Sequence, residues 1–219
     1  VFSVSVFDVT PQEGAHLNEI VREGQHFSDT QRVNNFDETL ETWIFANETS
    51  PAGYKNYRIV TDEVFDFRAR VKGELIDQVV KQETYQIYLH PEQRRLVAIC
   101  RKEDAHKAAL IFENRFPMQL EKHRFNILGI IAESADVRGA RFNVQIETVT
   151  GVSLKGSNID GTQYYSSMLQ AGQLTGVIVT YDHGDRTVTF RVSVDGTLLF
   201  YTPLTEYESL EFIEMLYGI

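Results

Sequence analysis

The sequence predicts an α+β protein, with antiparallel-rich mixed sheets, a few packed helices and a helix at the C-terminus. Three observations carry this expectation. Short runs alternate apolar and polar residues with period two, as in Phe65, Phe67, Ala69 and Val71. Several such runs are joined by turn residues at hairpin spacing, Asp195-Gly196 most plainly. Helical stripes stand singly between groups of strands instead of alternating with them, which argues against a doubly wound parallel sheet.

Each element has its own signal. Phe2, Val4 and Val6 alternate with Ser3 and Ser5, a strand that Pro11 ends. Leu17, Ile20 and Val21 then recur at helical spacing as far as Gly24. Residues 25–53 fit two descriptions: Phe36, Leu40 and Trp43 on one helix face, or Trp43-Ile44-Phe45 within a strand, with a loop over 47–53. Two strands follow at 54–60 and 64–72, separated by Thr61-Asp62-Glu63 and closed by Gly73, and residues 75–80 read as one or two helical turns. Strands at 85–89 and 96–100 make a hairpin over His90-Pro91-Glu92-Gln93. The apolar run of the second marks a central strand buried on both faces. Ala105, Ala108, Ala109, Phe112 and Phe116 give the best helical stripe, near 104–116, stopped by Pro117.

The last third is rich in strands, at 142–146, 149–154, 177–181, 187–194 and 198–201. A short helix near 164–170 separates the first two from the rest, with Gly172 as its C-cap. Thr205-Glu206-Tyr207-Glu208 matches a capping box and opens the closing helix, 205–217, which carries Leu210, Ile213 and Leu216. There is no linker composition and no solenoid repeat. Residues 1–219 therefore read as one compact chain of two intimately packed subdomains, an N-terminal α+β half (1–117) and a C-terminal β-rich half (118–219).

Composition sets the class of environment. The chain has 219 residues, 42% hydrophobic and 24% charged, enough to bury a core without a disulfide or structural metal. The single cysteine, Cys100, sits in an apolar run and reads as a small buried hydrophobe; the lack of a disulfide framework favours a reducing, cytoplasmic setting. No apolar stretch is long enough to span a bilayer, and no membrane partner is expected. The net charge is −10, but unevenly spread: residues 1–93 carry 8 basic and 16 acidic groups, 94–141 carry 10 and 6, and 142–219 carry 3 and 9. A basic centre between acidic ends argues against coating nucleic acid with the whole surface. It leaves room for one local basic patch, and for an acidic tail helix that meets a basic partner.

Motifs for common chemistries are absent: no phosphate loop, no His-Glu-x-x-His, no nucleophile elbow, no Cys/His cluster. No catalytic residue, metal ligand or cofactor is expected. Asp182-His183-Gly184-Asp185 is the densest polar cluster, but it falls between two strands, where Asp and Gly suit a turn. The basic candidates are Arg68, Arg70 and Lys72, which with Asp66 stand in period-2 register on the face opposite Phe65 and Phe67, with Arg58 joining them if the preceding strand pairs alongside. Such a face could track a phosphate backbone or dock an acidic protein surface.

The leading expectation is a non-enzymatic binding or regulatory subunit acting through a protein partner. The alternative is a nucleic-acid-binding or processing protein that uses the basic strand face. A third class, an enzyme with a scattered site, stays open, as does the oligomeric state.

Overall fold

A computed structural model describes residues 2–19 and 24–219. Among the described residues, twelve strands and four α-helices follow one another: β1 (Phe2–Pro11), β2 (Gln25–Val33), β3 (Phe36–Thr49), β4 (Lys55–Val71), β5 (Glu74–His90), β6 (Arg95–Ile99), α1 (Lys102–Arg115), β7 (Met118–Lys122), α2 (Ile127–Glu133), β8 (Asp136–Ile146), β9 (Val149–Lys155), α3 (Gln163–Ala171), β10 (Gly172–His183), β11 (Arg186–Ser193), β12 (Thr197–Phe200) and α4 (Glu206–Tyr217). The strands form a single sheet in the order β2-β3-β4-β5-β6-β1-β12-β11-β10-β8-β9, with β7 pairing β1.

Antiparallel sheet dominates, and the C-terminal helix is present. The expected mixed sheets give way to one sheet in which every recorded pairing is antiparallel. The reason is local: most neighbouring strands are joined by tight turns, which only antiparallel strands permit. Asn34 and Asn35 take φ of 46° and 70°, and Lys72 and Gly73 take 51° and 89°. Two successive left-handed residues make the turn whose twist suits a two-residue hairpin.

Those turns correct the reading of the first half. Residues 25–49 are two strands, not a helix, and β4 runs unbroken through Thr61-Asp62-Glu63. Cross-strand pairing supports that polar stretch: Thr61 lies opposite Thr42, and Glu63 opposite Lys81. Residues 75–80 belong to β5, where β-branched Val79 and Val80 pair with Phe65 and Val64. Leu17–Glu19 is a short 3-10 turn, while Ile20 and Val21, the rest of the expected helix, lie outside the described residues.

Two apolar cores lie on opposite faces of the sheet, as alternation along the strands requires. In β6, Leu96 and Ala98 face one core while Val97 faces the other; in β1, Phe7 and Val9 are opposed to Val4 and Val6. On the first face, α1 buries Ala105, Ala108, Ala109 and Phe112, and Phe112 meets the edge of Tyr57 at 5.4 Å. Small alanines let this helix sit close to the sheet. On the second face, Phe212 of α4 packs on Phe190 at 5.0 Å and Phe200 at 5.7 Å, and α2 and α3 extend the cover through Ile130 and Tyr165.

Candidate anion-binding face

The helices cover the two faces unequally. The buried first-face core draws its residues from Leu17, β1, β3 to β7, α1 and Phe116 at its end, and none from β8 to β12. Among the described residues, the half-sheet β12-β11-β10-β8-β9 is packed by α2, α3 and α4 on the second face and, apart from Lys102 of α1 at its edge, is bare on the first.

The sequence dictates which side chains stand on that bare face. In β11, Val188, Phe190 and Val192 enter the second core, so Thr189, Arg191 and Ser193 point the other way. In β8, Ala140 and Phe142 flank Arg141 in the same manner; in β9, Val152 and Leu154 alternate with Ser153 and Lys155. Strand register then aligns them in rows. One row runs Lys155, Gly139, Ile178, Arg191, Leu199, Ser3; beside it run Ser153, Arg141, Gly176 and Ser193.

This surface is slightly hollowed. A concavity of about 230 Å³ is lined by Gly139, Arg141, Ser153, Lys155, Ile178 and Arg191, among others. A second, of about 170 Å³, shares Arg191 and adds Ser3, Lys102, Ser193, Thr197 and Leu199. Neither lining contains a carboxylate or an aromatic ring. Among the described residues, Arg141, Lys155 and Arg191 form no ion pair. Lys102, at the rim, is held 2.5 Å from Asp195 in the adjoining turn. Burial pushes the Asp195 carboxyl up, but Lys102 outweighs it and holds the group below the usual carboxylate range. A larger hollow of about 730 Å³ lies elsewhere and mixes both signs, with Glu121 and Asp195 beside Lys122 and Arg124.

The four basic residues expected from the sequence are placed otherwise. Arg58 lies over the Phe45 ring at 5.0 Å, ten residues and roughly 30 Å along β4 from Arg68. Arg68 sits where the β4–β5 register slips: β4 takes three steps from Asp66 to Ala69 while β5 takes two from Gln78 to Ile76. The extra residue breaks the period-2 parity that would have aligned Arg58 with Arg70. Arg68 approaches Asp77 at 3.4 Å, Arg70 lies opposite Leu75, and Lys72 is a turn residue. Asp66, Glu74 and Asp77 share the same hairpin end, so its charge is balanced.

Other polar clusters are engaged in packing. Three of the four acidic residues of α4 meet the sheet: Glu214 accepts from Tyr54 at 2.5 Å and pairs with Arg95 at 2.6 Å, Glu206 accepts from Tyr88, and Glu208 pairs with Arg186 at 2.7 Å, while Glu211 is exposed. Arg95 also lies over the Tyr217 ring at 3.5 Å, and Tyr217 reaches Asp8, which meets His123 at 2.9 Å. Burial first, then the Glu214 and Glu206 carboxylates, push the Tyr54 and Tyr88 hydroxyls far above their usual range, so both act as permanent donors. Asp182-His183-Gly184-Asp185 is the β10–β11 turn, with Gly184 at φ 64° and His183 edge-on to Phe212 at 5.4 Å. Among the described residues no group of three His, Cys, Asp or Glu is placed to hold a metal ion, and no helix is long and apolar enough to cross a membrane.

The cations of the bare face were not singled out from the sequence, yet a signal existed. Only three basic residues occur in 142–219, and two of them, Lys155 and Arg191, converge here; the third, Arg186, is paired with Glu208. No family model matches the chain, and no curated protein sequence does either.

Proposed function

We propose that this chain is a non-enzymatic binding protein that takes an extended polyanion on the bare face of β12-β11-β10-β8-β9. One observation carries the proposal: in a protein of net charge −10, Arg141, Lys155 and Arg191 share an open sheet face without an ion pair among the described residues. Three like charges held on one face repel one another. An anionic ligand removes that cost and gains charge-assisted hydrogen bonds, bidentate ones for the two arginines. Serine and threonine hydroxyls between them add neutral donors.

A protein contact is a second element of the proposal. The distal β4–β5 hairpin leaves Phe67 59% and Leu75 54% exposed on one face and Val71 48% exposed on the other, and exposed apolar residues of this kind mark partner surfaces. A regulatory subunit that joins a polyanion to a protein fits both surfaces. The single cysteine is in keeping with a reducing, cytoplasmic setting.

Calorimetric titration with inorganic polyphosphate at low ionic strength tests the anion site. The expected result is saturable binding that weakens steeply with added salt and is lost in Arg141→Ala/Lys155→Ala/Arg191→Ala. Unchanged binding by that variant would place the anion elsewhere and defeat the proposal.

A further inference from the structure

We infer that the occupant of the bare face is a single strand of nucleic acid, held by its phosphates and sugars with little regard to base sequence. This rests on the anion-binding reading above and narrows it.

The chemistry of the face separates nucleic acid from an acidic protein. Protein interfaces gain most of their affinity from buried aromatic and large apolar anchors. The two concavities here are lined by Arg, Lys, Ser, Thr, Gly and aliphatic residues, Ile178 and Leu199 the largest on the open face, with no aromatic ring. That set matches the groups that contact phosphate and sugar oxygens: guanidinium, ammonium and hydroxyl donors. Without aromatic platforms, base stacking contributes little, and affinity comes from the backbone.

The shape of the face separates a single strand from a duplex. The cations are spread across the strands. Lys155 lies directly beside Gly139 and diagonally from Arg141, at roughly 7–8 Å between such positions, and Arg191 follows one strand beyond β10. Gly139 and Gly176 occupy the positions between them, both buried: a Cβ on Gly139 would fall 3.0 Å from Ile178 Cδ1, and one on Gly176 3.0 Å from the Val192 carbonyl, so their neighbours close over them and no side chain rises there from either glycine. Ile178 and Leu199, both half-buried, offer apolar contact to sugars along the same row. On one side α1 stands above the sheet, with Lys102 at the edge of the hollow. A flexible strand can follow a walled, hollowed strip and set successive phosphates on successive cations. A rigid duplex presents a convex surface that meets such a strip at few points.

Fluorescence anisotropy of the full chain with labelled oligonucleotides of about 12 nucleotides tests this, with inorganic polyphosphate and poly-L-glutamate as competitors. The expected result is binding of single strands at least tenfold tighter than of the matching duplex, with similar affinity for unrelated sequences. The triple alanine variant should lower the slope of log affinity against log salt by about 2, three neutralised phosphates at roughly 0.7 each. Because Arg191 is half-buried, Arg141→Ala/Lys155→Ala, at two exposed positions, provides a second variant; it should lower the slope by about 1.4. Equal or tighter duplex binding, or competition by polyglutamate as strong as by unlabelled oligonucleotide, would overturn the inference. Polyphosphate binding through the three residues with no oligonucleotide binding would overturn it and leave the anion-binding reading standing. Loss of both ligands would remove both.

Discussion

At the residue scale, Gly172 shows how a correct position arises for a different physical reason. The sequence marks it as a left-handed helix cap, yet its φ is −171°, extended backbone open to any residue. What requires glycine is space: a Cβ there would lie 2.1 Å from the Asn143 carbonyl oxygen and 2.8 Å from Val144 Cγ1, where β10 begins its pairing with β8. Gly151, on β9, has only the Phe142 carbonyl at 3.7 Å. Gly172→Ala should therefore cost about 1–3 kcal/mol by forcing the strands apart, while Gly151→Ala should stay within about 0.5 kcal/mol. Urea unfolding of the two variants checks the difference; equal midpoints would show that the β8–β10 approach relaxes freely.

At the element scale, α4 is both the most legible helix and the one whose role was least apparent. Its capping box is present in full, Thr205 accepting from the Glu208 backbone and Glu208 from the Thr205 backbone, because that signal lies within four residues. Its acidity suggested a basic partner outside the chain. Part of that acidity is used within the chain, by Arg95 and Tyr54 of the sheet beneath, more than a hundred residues away in sequence where no local pattern announces them. Arg95 and Glu214 are about a fifth to a quarter exposed, so this pair anchors the helix more firmly than a surface pair would. Arg95→Met should cost about 2 kcal/mol, since it leaves a half-buried carboxylate with only Tyr54 as donor and removes the contact with Tyr217. Chemical denaturation measures it; a loss below about 0.5 kcal/mol would mean that α4 is held by its apolar face alone. The β4–β5 hairpin is the contrary case. Leu75, Ile76, Val79 and Val80 repeat at a spacing that mimics a helix, and only pairing with β4 over its whole length decides for the strand.

At the scale of the whole molecule, the strands and turns of the last third were legible because hairpin signals are short-range: Asp182 to Asp185 and Asp195-Gly196 each sit where a strand reverses. Which polar faces come together was not legible. Arg141, Lys155 and Arg191 belong to three strands that are not all consecutive, and the sheet order β11-β10-β8-β9 is what brings them to one surface. Nor can a sequence show that, among the described residues, α1 reaches this half-sheet only at its first turn, through Lys102, and leaves the rest of that surface bare. Grouping Arg58 with Arg68, Arg70 and Lys72 assumed unbroken alternation along β4, and the single bulge after Asp66 ends the parity they would have shared. Backbone amide NMR of the full chain, titrated with inorganic polyphosphate at low salt, addresses the anion-binding face most directly. Shifts concentrated in β8 to β12, at Gly139, Arg141, Lys155, Gly176 and Arg191, are expected, with the β4–β5 end from Asp66 to Asp77 unmoved and an Arg68→Ala/Arg70→Ala/Lys72→Ala variant binding as tightly as the parent. Shifts confined to that hairpin end, and lost in that variant, would contradict the account.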